Sequence, residues 1–366
     1  MPEKSLKQNS PKYRIIHIKT GAIRPKASVL IIYSGGTIGM VRDSAGALVA
    51  LKFNQIMQQL PSLTALNVGI TVISFPVPMD SSNLNYENWI ELGQIIYENY
   101  QHYDGFVVLQ GTDTMAYSAS ALSFMLENLN KPVIFTGSQL PITAIRSDAR
   151  PNLITAIEIA SRMIGDRPLV PEVCIYFDYL LLRGNRTSKI RSSQFSAFES
   201  ENYPLLAKIG ITIEFNKSAI MPYNNESQLI FRDKFEPNVV ILKLFPSITR
   251  DVIESILNIK DLKGVVMETY GSGNAPTKEW FIEILGNAIK RGIIIYNVSQ
   301  CMGGKVIHGR YATSSQLQNI GVISGWNITT EAAITKLMYV LGYETNYERI
   351  NNLLSTPLSG EMDIGI

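Results

Sequence analysis

Histidine is almost missing from this chain: His17, His102 and His308 are the only ones in 366 residues. None stands beside a nucleophile turn, so the sequence gives no support to a histidine-centred triad. Cysteine is scarcer still, with Cys174 and Cys301 alone. Two thiols exclude a disulfide framework and point to a reducing compartment; Cys301 itself reads as a buried apolar filler. Charge of one sign is also lacking, because 33 basic and 31 acidic residues leave a net charge of +2. That balance removes the electrostatic footprint of a nucleic-acid partner, and no run of like charges marks a binding tail. Long apolar runs are absent. A typical one, Gly292-Ile293-Ile294-Ile295-Tyr296, has the length of a strand, far below the ~18 residues that cross a bilayer. The N-terminal residues carry Lys4, Lys7, Lys12, Arg14 and Lys19 without a compact apolar core, so they do not read as a secretory leader, and a cytoplasmic location is expected. Gly-x-Ser-x-Gly, His-Glu-x-x-His, Walker-type loops and Cys-x-x-Cys pairs are missing too. Gly271-Ser272-Gly273-Asn274-Ala275-Pro276 begins like a dinucleotide loop but lacks the third glycine. Neither a metal nor an organic cofactor is expected.

What is present is an alternation of β and α signals. Strands are expected at Val29–Tyr33, Ile70–Phe75, Phe106–Leu109, Val133–Thr136, Val173–Phe177, Val239–Leu244, Val265–Glu268 and Ile293–Val298. Helices are expected at Tyr86–Tyr100, Tyr117–Leu129, Asn152–Ile164, Thr277–Gly292 and Thr330–Leu341, with Gly292 and Gly342 as C-caps. Strands alternating with helices mean an α/β fold with a mainly parallel sheet. The length favours two domains. The pattern weakens around the polar, turn-rich Met221-Pro222-Tyr223-Asn224-Asn225-Glu226-Ser227. The expected division is an extension over 1–27, a larger N-terminal α/β domain over 28–212, a linker over 213–237 and a smaller C-terminal α/β domain over 238–366. Within the extension, Tyr13–Ile18 has the composition of a short edge strand.

Two apolar runs end in a glycine turn and a hydroxyl: Leu30-Ile31-Ile32-Tyr33-Ser34-Gly35-Gly36-Thr37 and Phe106-Val107-Val108-Leu109-Gln110-Gly111-Thr112-Asp113. Ligands of open parallel sheets bind at the carboxyl ends of the strands, which places Thr37 and Thr112 at a candidate site. Alone, Thr37 reads more readily as a turn or cap residue than as a nucleophile, and Thr112-Asp113-Thr114 as an N-cap for the following helix. A threonine hydroxyl becomes a nucleophile when a neighbour takes its proton, and a lysine whose surroundings favour its uncharged form can do so. Backbone N–H groups in glycine turns suit an oxyanion. These features point to hydrolysis of an amide or ester without histidine.

The motifs Ser34-Gly35-Gly36-Thr37-Ile38-Gly39, Gln110-Gly111-Thr112-Asp113-Thr114-Met115-Ala116-Tyr117 and Thr136-Gly137-Ser138-Gln139 resemble the signatures of bacterial-type L-asparaginases, with the closer match to the cytoplasmic type I branch. Pro78-Met79-Asp80-Ser81-Ser82, Tyr270–Pro276 and Gln300-Cys301-Met302-Gly303-Gly304-Lys305-Val306 resemble the same branch, and the likeness keeps its order from about residue 28 to about 345. The resemblance implies that Thr37 is the nucleophile that forms an acyl-enzyme. It implies that Thr112, Asp113 and Lys189 form a second catalytic unit with Lys189 as base, and that Gly36, Asp80, Ser81, Ser82, Gly111, Ser138 and Asn274 contact substrate. Ser81 and Ser82 would hold the α-carboxylate of L-asparagine and Asp113 its α-ammonium. Asn274 would reach the site of a neighbouring subunit in a homodimer or homotetramer. Two departures from the family pattern stand out. No tyrosine occurs between Tyr33 and Tyr86, where Ala47 takes the place of a lid tyrosine, and Gln110 precedes Gly111 where histidine is usual. Glu268 stands where an arginine would serve a regulatory asparagine site beside Cys301. Two other readings remain open: the asparaginase-like subunit of a tRNA-dependent amidotransferase, for which the extension is short, and a non-catalytic amino-acid-binding regulator.

Overall fold

In the computed structural model the described residues are 13–18, 25–42, 48–50, 63, 66–224, 227–307, 309 and 312–363. The chain divides into two compact units, Met1–Ser200 with Pro204–Phe231, and Glu201–Tyr203 with Arg232–Ile366.

The first unit is built on a nine-stranded sheet. Its strands are β1 (Arg14–Ile18), β2 (Ala27–Gly35), β3 (Val68–Met79), β4 (Gly105–Leu109), β5 (Val133–Thr136), β6 (Val173–Phe177), β7 (Leu180–Arg183), β8 (Ala207–Ile209) and β9 (Ile213–Phe215). They lie in the order β1-β3-β2-β4-β5-β6-β7-β8-β9. The five middle strands, β3 to β6 with β2 among them, pair in parallel. Both faces of such strands are covered, which explains their unbroken apolar runs. Phe106, Val107, Val108, Leu109, Val133, Ile134 and Phe135 are fully buried, and each contributes about 1.5–3 kcal/mol by leaving water. Among the helices of this unit, α1 (Tyr86–Asn99) starts with a capping box in which the Asn85 and Asn88 side chains bond each other's backbone N–H. Next come α2 (Met115–Met125) and α3 (Ala149–Ala160).

Strand β1 is the antiparallel edge strand expected at Tyr13–Ile18, registered Arg14 to Ser74 and Ile18 to Ile70. Tyr13 stacks edge-on to Phe75 and donates to Glu91 of α1. Residues 213–237, read above as a linker, hold β9 and a short strand Ile230–Phe231 that pairs with Leu126–Glu127. That pairing also ends α2 earlier than its apolar pattern predicts, because Leu126 and Glu127 are drawn into a strand.

The second unit carries a four-stranded parallel sheet in sequential order. Its strands are β10 (Val239–Lys243), β11 (Gly264–Thr269), β12 (Ile294–Ser299) and β13 (Ile323–Ser324). Its helices are α4 (Arg250–Leu257), α5 (Glu279–Lys290), α6 (Ala312–Asn319), α7 (Thr330–Tyr343) and α8 (Tyr347–Ser355). Leu242, Val265, Met267, Phe281, Ile284 and Leu285 form part of its core. Gly292 ends α5 at a positive φ of +92°, and its N–H donates to the Ile289 carbonyl, as a glycine after a helix should. Gly342 corrects its reading as a cap: α7 runs through it to Tyr343. A Cβ there would stand 2.6 Å from the Lys234 carbonyl oxygen, so this glycine serves a close backbone approach. Cys301 corrects the filler reading, being exposed, whereas Cys174 is buried. Among the described residues no helix is long and apolar enough to cross a membrane.

Candidate active site

Chain order and sheet order diverge at β2. The next strand, β3, lies on one side of it, and β4, β5 and β6 follow on the other. The carboxyl ends of β2 and β4 therefore flank a topological switch point, where open α/β sheets bind ligands. Register brings the two ends level: Tyr33 pairs with Leu109, and the buried Ser34 Oγ donates to the Leu109 carbonyl at 2.9 Å. Beyond this pin the chain turns sharply. Gly35 and Gly36 adopt φ values of +144° and +93°, a region that side-chain-bearing residues avoid. A Cβ on Gly36 would overlap the Gly111 nitrogen and lie 2.7 Å from the Gly111 Cα. The two glycine turns thus touch backbone to backbone. Thr37, half-buried, opens the short 3-10 turn Thr37–Gly39 immediately after this contact. It does not cap that turn; Gly36 occupies the cap position.

On the β4 side, Thr112 is buried and Asp113 is exposed. Lys189 comes from the hairpin of Ser188–Lys189 with Phe198–Glu199. Its Nζ donates to Thr112 Oγ1 at 2.8 Å and to Asp113 Oδ1 at 2.6 Å. The Lys189 side chain is 15% exposed and that of Asp113 65%. An ion pair this open contributes at most about 1 kcal/mol, so its value lies in aiming the amine at the threonine. Neighbouring cations are already committed: Arg183 to Glu172 at 2.6 Å, and Arg191 to Glu199 at 2.6 Å.

The end of β3 supplies the third turn. Pro76-Val77-Pro78 forms the last part of that strand. Rigidity comes from Asp80, whose Oδ1 accepts from the Ser82 N–H at 3.0 Å and caps the turn Ser81–Asn83. Ser81 is buried, and its Oγ would be 2.5 Å from a Cβ on Gly111. Ser82 is exposed beside it. Thr114, at the cap position of α2, makes no side-chain cap bond; its Oγ1 donates to the Ser81 carbonyl at 2.8 Å. This bond ties the serine turn to the Thr112-Asp113 turn.

The end of β5 delivers a residue that sequence reasoning missed. The Ser138 hydroxyl donates to the Leu140 carbonyl at 2.6 Å, inside its own turn. Gln139 is the side chain that faces Thr112, with Thr112 Oγ1 3.5 Å from Gln139 Oε1. Gln139 sat inside the quoted motif, but nothing in spacing separates it from Ser138. Gln110 is 1% exposed, and among the described residues neither of its side-chain polar atoms has a hydrogen-bond partner. Ala47, read as the replaced lid tyrosine, lies outside the described residues. Asn274 belongs to the second unit, in a tight turn where it and Tyr270 exchange backbone hydrogen bonds of 2.9 Å. Glu268 there accepts from Thr330 Oγ1 at 2.7 Å.

Thr37, Gly36, Gly111, Thr112, Asp113, Asp80, Ser81 and Ser82 therefore stand at the ends of three adjacent strands, with Lys189 reaching in from a hairpin. The set offers hydroxyls, an amine, a carboxylate and turn N–H groups, the donors and acceptors of an acyl transfer.

Comparison with known proteins identifies the relatives of this chain. A model of the asparaginase N-terminal domain matches residues 28–221, and one of the glutaminase/asparaginase C-terminal domain matches residues 238–354. L-asparaginase 1 of Escherichia coli K12 is 40% identical over 339 residues, covering 92% of this chain and 98% of that protein. The 60 kDa lysophospholipase of Mus musculus is 39% identical over 367 residues, and the match covers 94% of this chain but 64% of that protein. The chain thus spans less than two thirds of that relative's length. The crystal structure of L-asparaginase I from Vibrio cholerae superimposes with a TM-score of 0.84 at 37% identity, covering 92% of this chain and 99% of that one. The paired glycine turns, the lysine-linked threonine and these matches lead to one conclusion: the chain belongs to the asparaginase family.

Proposed function

We propose that the chain is an L-asparaginase that hydrolyses L-asparagine to L-aspartate and ammonia. The observation that supports this reading most is the Lys189 amine held between Thr112 and Asp113 at the switch point, beside the turn that carries Thr37. An amino-acid substrate is a zwitterion. Ser81 and Ser82 offer donors to its carboxylate, and the exposed Asp113 offers an acceptor to its ammonium. The side-chain carboxamide then lies over the threonine turns.

Thr37 Oγ attacks the carboxamide carbon, and its proton passes to the carboxamide nitrogen as the C–O bond forms. Turn N–H groups hold the oxyanion. Collapse breaks the C–N bond, and ammonia departs from an ester on Thr37. Water attacks that ester, with its proton passing through Thr112 to Lys189, and L-aspartate leaves as Thr37 recovers its proton. Gly36 and Gly111 make the close backbone packing possible, Asp80 holds the serine turn, and Ser138 shapes the turn at the end of β5. The reading extends to a cytoplasmic homodimer or homotetramer in which Asn274 of one subunit reaches the site of another. The domain over 28–212 would do the chemistry, and the segment 213–237, which carries β9 and the strand Ile230–Phe231, would lead to a domain over 238–366.

Ammonia release measured on L-asparagine, L-glutamine and D-asparagine tests the proposal. Turnover of L-asparagine is expected, with loss when Thr37 or Thr112 is replaced by alanine. Binding without ammonia release would instead make the chain an amino-acid regulator. Release of fatty acid from a lysophospholipid, with no release of ammonia from asparagine, would move the chemistry to ester cleavage.

A further inference from the structure

The Thr112 hydroxyl has one proton and two acceptors within reach. One is Lys189 Nζ at 2.8 Å, available only while the amine is uncharged. The other is Gln139 Oε1 at 3.5 Å. Among the described residues Thr112 Oγ1 has no third hydrogen-bond partner. Once Lys189 is an ammonium it donates to Thr112 Oγ1 and to Asp113, and the threonine proton must point elsewhere. Among the described residues the amide oxygen of Gln139 is the acceptor placed to take it.

The Gln139 amide is oriented for this task. Its Nε2 donates to the Gln194 carbonyl at 2.8 Å and to the Ser192 carbonyl at 3.3 Å. A flipped amide would set its oxygen against two carbonyl oxygens, so the network fixes Oε1 toward Thr112. The turn beneath it is anchored as well. The Asp148 carboxylate accepts from the backbone N–H groups of Gln139 and Leu140 at 2.9 Å and 3.1 Å, and Asn152 Nδ2 donates to the Gly137 carbonyl at 3.0 Å. A separation of 3.5 Å is long for O–H···O, as contacts in unliganded sites often are before substrate draws them in.

We propose that Gln139 is a positioning residue for the reaction: it holds the Thr112 proton while Lys189 is charged, and so sets the pH at which the lysine–threonine pair becomes an active base. The inference deepens the L-asparaginase reading and rests on it for its kinetic consequences. The charged group in contact with Lys189 is Asp113 from the turn before α2; on the same hairpin Arg191 and Glu199 are paired with each other, and Asp148 at the Gln139 turn is committed to backbone N–H groups. Arg183 and Arg186 lie buried on the segment leading to Lys189. None of them offers the threonine hydroxyl an acceptor.

Two substitutions move the system in opposite directions. Gln139→Met removes the acceptor, which disfavours the ammonium arrangement. The acid limb of the kcat/KM profile should then move to lower pH, by about half to one unit. Gln139→Glu replaces the amide donor with an oxygen that the Ser192 and Gln194 carbonyls repel, so the carboxylate turns toward Thr112 and Lys189 and its negative charge favours the ammonium. The acid limb should move to higher pH by about one unit. A purely structural role would lower activity in both variants without displacing the limb in opposite senses.

The experiment records kcat/KM for L-asparagine against pH for the wild type and both variants. In parallel, pH-dependent labelling of Lys189 by an amine-specific reagent is followed by peptide mass spectrometry. Opposite displacements in both readouts support the inference. Limbs and labelling curves that stay in place, or move together, overturn it. If the wild type releases no ammonia from L-asparagine while the labelling curves still separate, the catalytic reading falls and the proton arrangement stands. Gln139→Leu replaces Gln139→Met if the latter unfolds, with the same expected direction.

Discussion

Lys189 owes its aim to two short bonds, 2.8 Å to Thr112 and 2.6 Å to Asp113. Replacing it with methionine keeps the stem but removes the base, and the account expects kcat to fall about a hundredfold to ten-thousandfold with little change in melting temperature. Lys189→Arg should not rescue the rate, because a guanidinium does not give up its proton near neutral pH; steady-state ammonia release checks both variants. Thr37, Thr112, Asp113 and Lys189 were legible in the sequence because apolar runs ending in glycine and a hydroxyl place side chains at strand ends, and because the motifs kept the order of a known family. Ser138 and Gln139 were not separable in that way. Which of two adjacent side chains enters the site depends on a carbonyl one or two residues further on, here that of Leu140, which captures the serine. Thr114 stands at the cap position of α2, but its side chain bonds Ser81 instead, joining positions 33 residues apart that no spacing argument connects.

The glycine turn after β2 makes its own prediction among the elements. Gly36→Ala sets a Cβ into the Gly111 backbone at a φ of +93°, so the two turns must part. Activity should drop by orders of magnitude while the rest of the sheet stays folded, as far-ultraviolet circular dichroism beside ammonia release would show. Two helix-end glycines give a contrast in stability. Gly342→Ala forces a Cβ to 2.6 Å from the Lys234 carbonyl and should cost about 1–3 kcal/mol. At Gly292 no atom of the described residues beyond its chain neighbours lies within 4 Å of a new Cβ, and the positive φ opposes alanine, at about 1 kcal/mol. Urea midpoints of the two variants should rank accordingly. The main strands were readable because burial on both faces leaves continuous apolar runs such as Phe106–Leu109. The end of α2 was not, because the partner of Leu126–Glu127 lies about a hundred residues on, at Ile230–Phe231.

At the scale of the molecule, α/β class followed from the alternation of strands and helices and the two-part organisation from length and the weakened pattern near Met221, and strand order did not. The placement of β3 and β4 on opposite sides of β2, which creates the switch point, is a tertiary choice that local patterns do not encode. Buried tyrosines in the first unit set an alkaline limit to its stability. Burial pushes Tyr33 and Tyr100 each up to about 12 from the ordinary 10.0. Their pKa values are higher folded than unfolded, so the stabilisation is complete below pH 10 and lost as pH climbs toward 12. Each hydroxyl should subtract about 1.4 kcal/mol per pH unit in that window, and urea midpoints at pH 9, 10 and 11 should fall together with a cooperative rise in tyrosinate absorbance. In the second unit, Lys336 and Glu361 form a fully buried pair at 2.7 Å, and cutting one partner should cost about 3–5 kcal/mol. The claim on which the functional account rests is that Thr37 and the Lys189–Thr112 pair act on one bound amino acid. Ammonia release from L-asparagine by the wild type, Thr37→Ala and Thr112→Ala tests it most directly: the account predicts turnover by the wild type and losses of about a thousandfold or more in each variant, and full rates in either variant would contradict it.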